Sequence, residues 1–406
     1  MLIAGEASGD LLAAELVLAL RRELLAAENV YEPWQQPLRT ALEPRFFGAG
    51  GPRMKAAGVE LAFDMTQHSV IGLSDVLKSY FKFRRLFNQL YRLALERTPD
   101  AIICVDFSGF NRRFAHAIRK YVHRHQDWFH PWNPKIIQYV SPQVWASREG
   151  RAYLMAEDFD LVVSHFPFEK DWYAQRVPKL RVEYVGHPMV ERFASEERVT
   201  RVSNFESGAR GTRPSDILLL PGSRPDELQR HLPVMLDALK QIRAEQPDAR
   251  AKMVLPDESL ANQARASSPN GLEIQIGNLR QALAKADVAI ASTGTVTLEC
   301  AFFGVPTVAI YKTSRLTYEI AKRIVKVKYL AMPNLLANEE IFPEFIQDAA
   351  TPEHIARSAL DLLRDEPRRT KIKARLAEVV ASLGGPGATE RAARAIARLL
   401  KPESAP

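Results

Sequence analysis

The sequence predicts an α/β protein made of two doubly wound, Rossmann-like parallel-sheet halves that face each other across a cleft. Three observations predict it. Short apolar runs ending in Gly, Ser or Pro alternate with helical patterns, the rhythm of βα units. That rhythm breaks off at a polar stretch near residue 200 and then restarts. The 406 residues, 46% of them hydrophobic, suffice for two or three domains with their own cores.

Taken in order, Leu2–Ala4, Ala101–Val105, Lys135–Val140, Leu161–Ser164 and Val182–Val185 read as parallel strands of an N-terminal domain, residues 1–194. Each is short, apolar and closed by turn-forming residues. Gln35 to Pro44 is a Pro-rich surface insertion. Residues 195–215 carry Gly208, Gly211 and Pro214 with no apolar period, and read as a linker. In a C-terminal domain, residues 216–375, Ile217–Leu220, Ala251–Leu255, Val288–Ala291 and Thr307–Tyr311 read as strands and Arg224–Ala244 as a helix. In the last segment, 376–406, a helix puts Ala392, Ala393, Ile396, Leu399 and Leu400 on one face. That face needs a partner surface, which the first half can supply.

Composition bounds the chemistry. Mixed charge at 25% of residues, without low-complexity tracts, indicates a folded soluble protein. Lys and Arg number 55 against 48 Asp and Glu, an excess that favours anionic partners without choosing among nucleic acids, nucleotide sugars and lipids. Cys104 and Cys300 lie far apart in apolar segments, which excludes a disulfide scaffold or a cysteine zinc site and suits a reducing cytosol. The first ten residues are too short and acidic for a signal peptide, and so short a first strand raises the expectation of further residues upstream of Met1. Val288 to Tyr311 imitates a membrane span but contains Glu299, Gly304 and Pro306, so no transmembrane helix is expected.

Several turns carry candidate chemistry. Gly5 to Asp10 (GEASGD) follows the first strand, and its small residues let backbone N–H groups at a helix start approach a polar ligand. It is equally a plain βα turn with Asp10 as a helix cap, and neither it nor the turn at 48–52 has dinucleotide-binding spacing. Asp106 ends the strand 101–105, where a carboxylate can sit in a ligand crevice with a raised pKa and act as general base, or cap a helix. Ser223 and Arg224, after Leu220-Pro221-Gly222, offer a hydroxyl, free N–H groups and a guanidinium for phosphate. Thr293, Gly294 and Thr295 open a helix on which Glu299 lies about one turn further, so N–H groups could hold a pyrophosphate while the carboxylate accepts ribose hydroxyls. Asp158-Phe159-Asp160 matches a metal-binding D-x-D but stands at the entry of a strand, away from the ligand end, and is read as no metal site. His187, in Gly186-His187-Pro188, is a catalytic acid or a capped loop residue.

Residues 76–95 form a basic, aromatic amphipathic stretch. Leu77, Tyr80, Phe81, Phe83 and Phe87 are interleaved with Lys82, Arg84 and Arg85, as in helices that lie in an anionic membrane interface. The alternative is a core-packed helix with solvated charges. No RNA-binding or helix-turn-helix pattern accompanies it.

Ten motifs in register, GEASGD at 5–10, GAGGPRM at 48–54, IGLSDVL at 71–77, VDFSGFN at 105–111, YVSPQVWA at 139–146, FPFEK at 166–170, GHP at 186–188, LLPGSR at 219–224, STGTVTLE at 292–299 and MPNLLA at 332–337, resemble the lipid-A-disaccharide synthase family. The resemblance spans nearly the whole chain. It implies a GT-B fold, no cofactor and a metal-independent, inverting transfer of 2,3-diacylglucosamine from UDP to the 6-hydroxyl of 2,3-diacylglucosamine 1-phosphate (lipid X). It further implies Asp106 as base, Ser223, Arg224, Thr293, Gly294, Thr295, Glu299 and Asn334 on the UDP side, and Glu6, Ser8 and His187 on the acceptor side. The aromatic helix would then dock on the anionic cytoplasmic face of the inner membrane. Nucleic acid is not an implied partner, and the oligomeric state, a homodimer included, stays open. The chain departs from the family pattern at Ser147-Arg148 and in the FSGF segment after Asp106. Its rivals are a different GT-B enzyme acting on a UDP-sugar and a nucleic-acid-binding or structural protein.

Overall fold

The computed structural model describes residues 1–28, 43–66, 76–193, 214–268 and 271–401, with the side chains of 27–28 and 76–80 outside that description. The expected linker at 195–215 and the insertion at 35–44 fall almost wholly outside it, as do Leu77 and Tyr80 as side chains. Two compact units result: residues 1–191 with 383–406, and residues 192–382. The return to the first unit begins at 383 rather than 376, because Glu366–Ser382 is one unbroken helix that packs on the helix Thr295–Phe302 of the second unit.

The first unit is a seven-stranded sheet of β1 (Leu2–Ala4), β2 (Phe47–Gly50), β3 (Glu60–Asp64), β4 (Ala101–Val105), β5 (Lys135–Tyr139), β6 (Leu161–Ser164) and β7 (Val182–Tyr184). Its order is β3-β2-β1-β4-β5-β6-β7, with every pairing parallel. Leu2, Ala4, Ile103 and Val105 enter the core on one face, while Ile3, Ile102 and Cys104 enter the core on the other. Burial on both faces explains why these strands read as continuous apolar runs. The second unit is a six-stranded sheet of β8 (Asp216–Leu220), β9 (Arg250–Leu255), β10 (Glu273–Ile276), β11 (Val288–Ser292), β12 (Thr307–Tyr311) and β13 (Glu344–Ile346). Its order is β10-β9-β8-β11-β12-β13, again parallel throughout.

Four strands escape the sequence reading. β3, β10 and β13 are edge strands only partly covered, so they lack a full apolar run. β2, read as part of a turn, is a buried strand rich in glycine for a steric reason. A Cβ on Gly48 would lie 1.8 Å from the Leu2 carbonyl oxygen, so only glycine lets β2 lie against β1.

Asp10 is no cap of its own helix, which begins at Ala7. Its buried carboxylate instead accepts the N–H groups of Gly51 (2.7 Å), Arg53 (3.0 Å) and Met54 (3.0 Å), capping the short helix Pro52–Ala56 and tying the first two βα turns together. The last helix, Ala388–Leu400, lays Ala392, Ala393 and Ile396 on the helix Ala7–Glu28. Arg391 secures it by donating to Val185 O at 2.8 Å. Asp158 pairs with His116 (3.0 Å), and Asp160 with Arg119 and the Ile136 N–H.

Within the helix Val76–Arg97 the two readings divide by face. Phe83 and Phe87 are half-buried against the core, with Phe87 packed 5.5 Å from Phe110 and 5.6 Å from Phe114, which corrects their expected membrane role. Phe81, Lys82, Arg84 and Arg85 are exposed.

Asp10→Ala orphans three N–H groups, two of them buried, and is expected to lower stability by about 2 to 4 kcal/mol, read as a lower denaturation midpoint in urea. Asp10→Asn, which keeps an acceptor, should fall between. An unchanged midpoint for Asp10→Ala would contradict this account of the cap.

Candidate active site

In an open parallel sheet, ligands bind beyond the carboxyl ends of the strands, where the order reverses and neighbouring connections leave on opposite faces. The reversals fall between β1 and β4 in the first unit and between β8 and β11 in the second. Each candidate turn except His187 and Asn334 issues from one of these four strands.

In the first unit, Asp106 and Phe107 follow β4 with φ of 49° and 41°, both left-handed. Two such residues in succession are strained by roughly 1 to 2 kcal/mol each. Asp106 is held there by two side chains and the neighbouring strand: its carbonyl accepts from Asn111 Nδ2 at 2.9 Å and Gln138 Nε2 at 3.3 Å, and its N–H donates to the Tyr139 carbonyl at 2.9 Å. The half-buried Asp106 carboxyl therefore projects from a fixed backbone. It stands beside the first turn of the helix after β1: a Cβ on Gly9 would begin 3.7 Å from that of Asp106. Glu6, just before this helix, is half-buried, and Ser8, in its first turn, is exposed. His187 lies elsewhere, over the ends of β6 and β7, its ring centroid 5.6 Å from Phe166 and 5.7 Å from His165. Its Nδ1 accepts from Met189 N at 3.2 Å and its N–H donates to Leu383 O, so it anchors the chain's return to this unit.

A buried cluster braces the same edge of the sheet. Glu169, fully buried, accepts from Trp145 Nε1 (2.8 Å), Ser164 Oγ (2.7 Å) and Phe166 N (3.4 Å), joining the segment after β5 to that after β6. Burial outweighs these bonds and pushes its carboxyl up to about 7.

In the second unit, β8 runs into Gly222, whose φ of 124° requires glycine. Ser223 N donates to Glu227 Oε2 at 3.0 Å, and the largely exposed Arg224 lies 3.8 Å from Oε1. Behind them, buried His231 donates from Nδ1 to Pro221 O (2.7 Å) and accepts Lys312 N–H at Nε2 (2.9 Å), which fixes the neutral tautomer and links the ends of β8 and β12. Burial lowers its pKa accordingly.

Beyond β11, Thr293 and half-buried Gly294 (φ 120°) lead into the helix Thr295–Phe302, with Thr295 exposed at its start. Thr297 Oγ1 donates to Gly294 O at 2.7 Å and accepts Met332 N–H at 3.1 Å. Glu299 is half-buried, and desolvation raises its carboxyl to about 7 against the opposing charges of Arg280 and Arg192. Arg280 is itself seated on the Phe193 ring, 4.6 Å from its centroid, and donates to Arg192 O at 3.3 Å. Asn334 departs from expectation. It is fully buried, and its amide spends every bond inside the protein, accepting from Ile341 N and Phe342 N and donating to Phe342 O and Glu344 Oε1, all within 2.9 Å. It shapes the 332–342 segment and offers a ligand no free group.

Sequence reasoning missed Glu227, His231, Asn111, Gln138 and Glu169. Glu227 carried a signal, an acidic residue in the first turn of a helix behind a Gly-Ser turn. The others lie at apolar-facing positions and look like ordinary core residues until the fold brings their partners to them.

Solved structures with this arrangement are GT-B proteins. The chain superposes on Acinetobacter baumannii MurG with a TM-score of 0.52 at 15% identity, covering 98% of both chains. On the UDP co-structure of S. aureus MnaA the TM-score is 0.57 at 12% identity, covering 96% of this chain and 94% of that one. Fold and switch-point turns thus define a two-unit protein with the GT-B fold. Residues 1–398 match the family described as lipid-A-disaccharide synthetase. The lipid-A-disaccharide synthase of Trichlorobacter lovleyi is 36% identical over 399 residues, 97% of this chain and 95% of the relative. That of Myxococcus xanthus is 33% identical over 406 residues, 99% and 97% of the two chains. The chain belongs to the lipid-A-disaccharide synthase family, and it is a glycosyltransferase.

Because folding raises the Glu169 pKa from 4.5 to about 7, the native state holds a proton that the unfolded chain releases, and this group makes stability fall as pH rises through that window. Glu169→Gln keeps an acceptor and removes the titration. It is expected to flatten the dependence and to gain on the order of 2 to 3 kcal/mol relative to wild type at pH 8 over pH 5, measured by urea denaturation at both. Parallel pH profiles for the two proteins would contradict the assignment.

Proposed function

We propose that the two switch points divide the labour of one reaction, with the second unit holding the UDP moiety of UDP-2,3-diacylglucosamine and the first presenting Asp106 to the 6-hydroxyl of lipid X. Membership of the family supplies the substrates and products, the β-1,6-linked disaccharide 1-phosphate and UDP. The observation that carries the assignment of roles is the Asp106 backbone, strained and pinned by Asn111 and Gln138 at the ligand end of β4. A side chain held in this way suits a general base, which must meet its proton at a defined distance.

Asp106 takes the proton of the acceptor hydroxyl as its oxygen attacks the anomeric carbon from the face opposite the leaving group, and configuration inverts. Charge builds on the departing UDP. The N–H groups at the start of the helix Thr295–Phe302, the Ser223 N–H and Arg224 meet that charge, and a phosphate replaces Glu227 as the partner of Ser223 N and Arg224. Glu299 accepts the ribose hydroxyls. With charge neutralised by these groups, the transfer needs no divalent cation. The carboxylates of Asp158-Phe159-Asp160, engaged with His116 and Arg119, take no part. Glu6 and Ser8, at the start of the helix beside Asp106, face the acceptor.

The exposed residues Phe81, Lys82, Arg84 and Arg85 support peripheral attachment of the first unit to an anionic cytoplasmic membrane face. Among the described residues no helix is long and apolar enough to cross a membrane.

Purified protein incubated with the diacyl donor and acceptor should release UDP, with and without chelator. Asp106→Ala should cut turnover by roughly 10² or more while folding stays intact. Near-normal turnover in that variant would remove Asp106 from its role. UDP-sugar turnover that needs no acylated donor would favour a different GT-B chemistry, such as the 2-epimerase reaction.

A further inference from the structure

The second unit carries an exposed amphipathic helix that the reaction as described does not use. Arg315–Ile324 follows β12, and because all strands of this sheet are parallel it leaves from the edge that also bears the Gly222 and Gly294 turns. No residue of this helix is buried. Leu316 is 73% exposed and Ile320, one turn on, 51%, with Val325 just beyond at 36%. Isolated exposed aliphatic residues are unremarkable, but Leu316 and Ile320, four residues apart, share one outward helix face.

The helix is not a loose flap. Its stem is fastened: Lys312 N donates to buried His231, Lys312 Nζ donates to Gln347 O (3.1 Å) and Ala350 O (3.2 Å), and Thr313 N donates to Gln347 Oε1 (3.0 Å). Ser314 Oγ caps it by accepting Thr317 N–H at 3.1 Å. Half-buried Tyr318, Ala321 and Ile324 seat one face on the unit, which turns Leu316 and Ile320 outward.

Charge selects the occupant. From 315 to 328 the chain carries Arg315, Lys322, Arg323, Lys326 and Lys328 against the single acid Glu319. An apolar stripe ringed by cations fits a surface that is apolar within and anionic at its rim, the description of an acidic phospholipid interface.

We propose that Arg315–Ile324 and the residues to Lys328 dock the second unit on an anionic lipid bilayer, with Leu316 and Ile320 entering the acyl boundary and Lys322 and Arg323 pairing with headgroups. The inference rests on the reading of this unit as the donor side. It deepens that reading: a UDP-sugar bearing fatty acyl chains can keep them in the bilayer while its diphosphate reaches turns on the same sheet edge.

The test is flotation of the full-length protein with vesicles of phosphatidylcholine mixed with phosphatidylglycerol and of phosphatidylcholine alone, at low and high salt. Wild type should bind the acidic vesicles preferentially and lose binding as salt rises. Leu316→Ser with Ile320→Ser, and separately Lys322→Glu with Arg323→Glu, should each weaken that binding roughly tenfold or more. Both variants should retain UDP release from detergent-dispersed donor and acceptor. Vesicle binding equal to wild type would overturn the proposal. So would a loss of detergent activity, which would place the helix in the catalytic apparatus, or a fall in sedimenting mass, which would show that a second copy of the chain covers the stripe. Failure of wild type to release UDP in detergent would instead defeat the glycosyltransferase reading, whatever the vesicles show.

Discussion

Each sheet grows outward in both directions from a central pair of strands, β1 beside β4 in one unit and β8 beside β11 in the other. Connections on either side of such a pair cover opposite faces, so the space beyond the carboxyl ends of the pair is left open and is ringed by backbone N–H groups. Everything proposed for function depends on this. The turns at 5–10 and 106–111 share one reversal, and those at 222–224 and 293–295 share the other. Their residues are far apart in sequence and are brought together only by strand order.

The turns themselves are kept in place by buried polar groups whose bonds all lie within the protein. Asp10 ties the turn after β2 to the helix after β1, Asn111 and Gln138 hold the left-handed carbonyl of Asp106, and Glu169 joins the ends of β5 and β6. In the second unit His231 and Asn334 do the same for the ends of β8 and β12 and for the 332–342 segment. A polar group bonded inside a low-dielectric interior is hard to move. Rigid turns are what a transfer between two bound sugars requires, since alignment provides much of the rate.

How much of this was legible in the sequence follows from burial. Strands covered on both faces, such as Ala101–Val105 and Thr307–Tyr311, announce themselves as apolar runs, and their bounds read directly. Edge strands β3, β10 and β13 do not, because half of each faces away from the core. β2 was hidden by glycines that exist to let it approach β1. The turns bearing Asp106, Arg224 and Thr293 were visible because they interrupt apolar runs with small and charged residues. Glu227, Asn111 and Glu169 were not, since their significance lies in partners distant in the chain. Asn334 was legible as part of a motif but misread in role, because a motif does not say whether an amide faces a ligand or the protein. The helix Val76–Arg97 divided the same way: Phe83 and Phe87 look no different in sequence from Phe81, and only packing against Phe107, Phe110 and Phe114 separates them.

The central claim is that nucleotide settles on the reversal between β8 and β11. Amide hydrogen exchange with and without UDP tests it most directly. Slowed exchange at residues 222–224 and 294–297, with residues 106–109 unchanged, is the expected result. Protection confined to the first unit, or none at either pair of turns at saturating UDP, would contradict it.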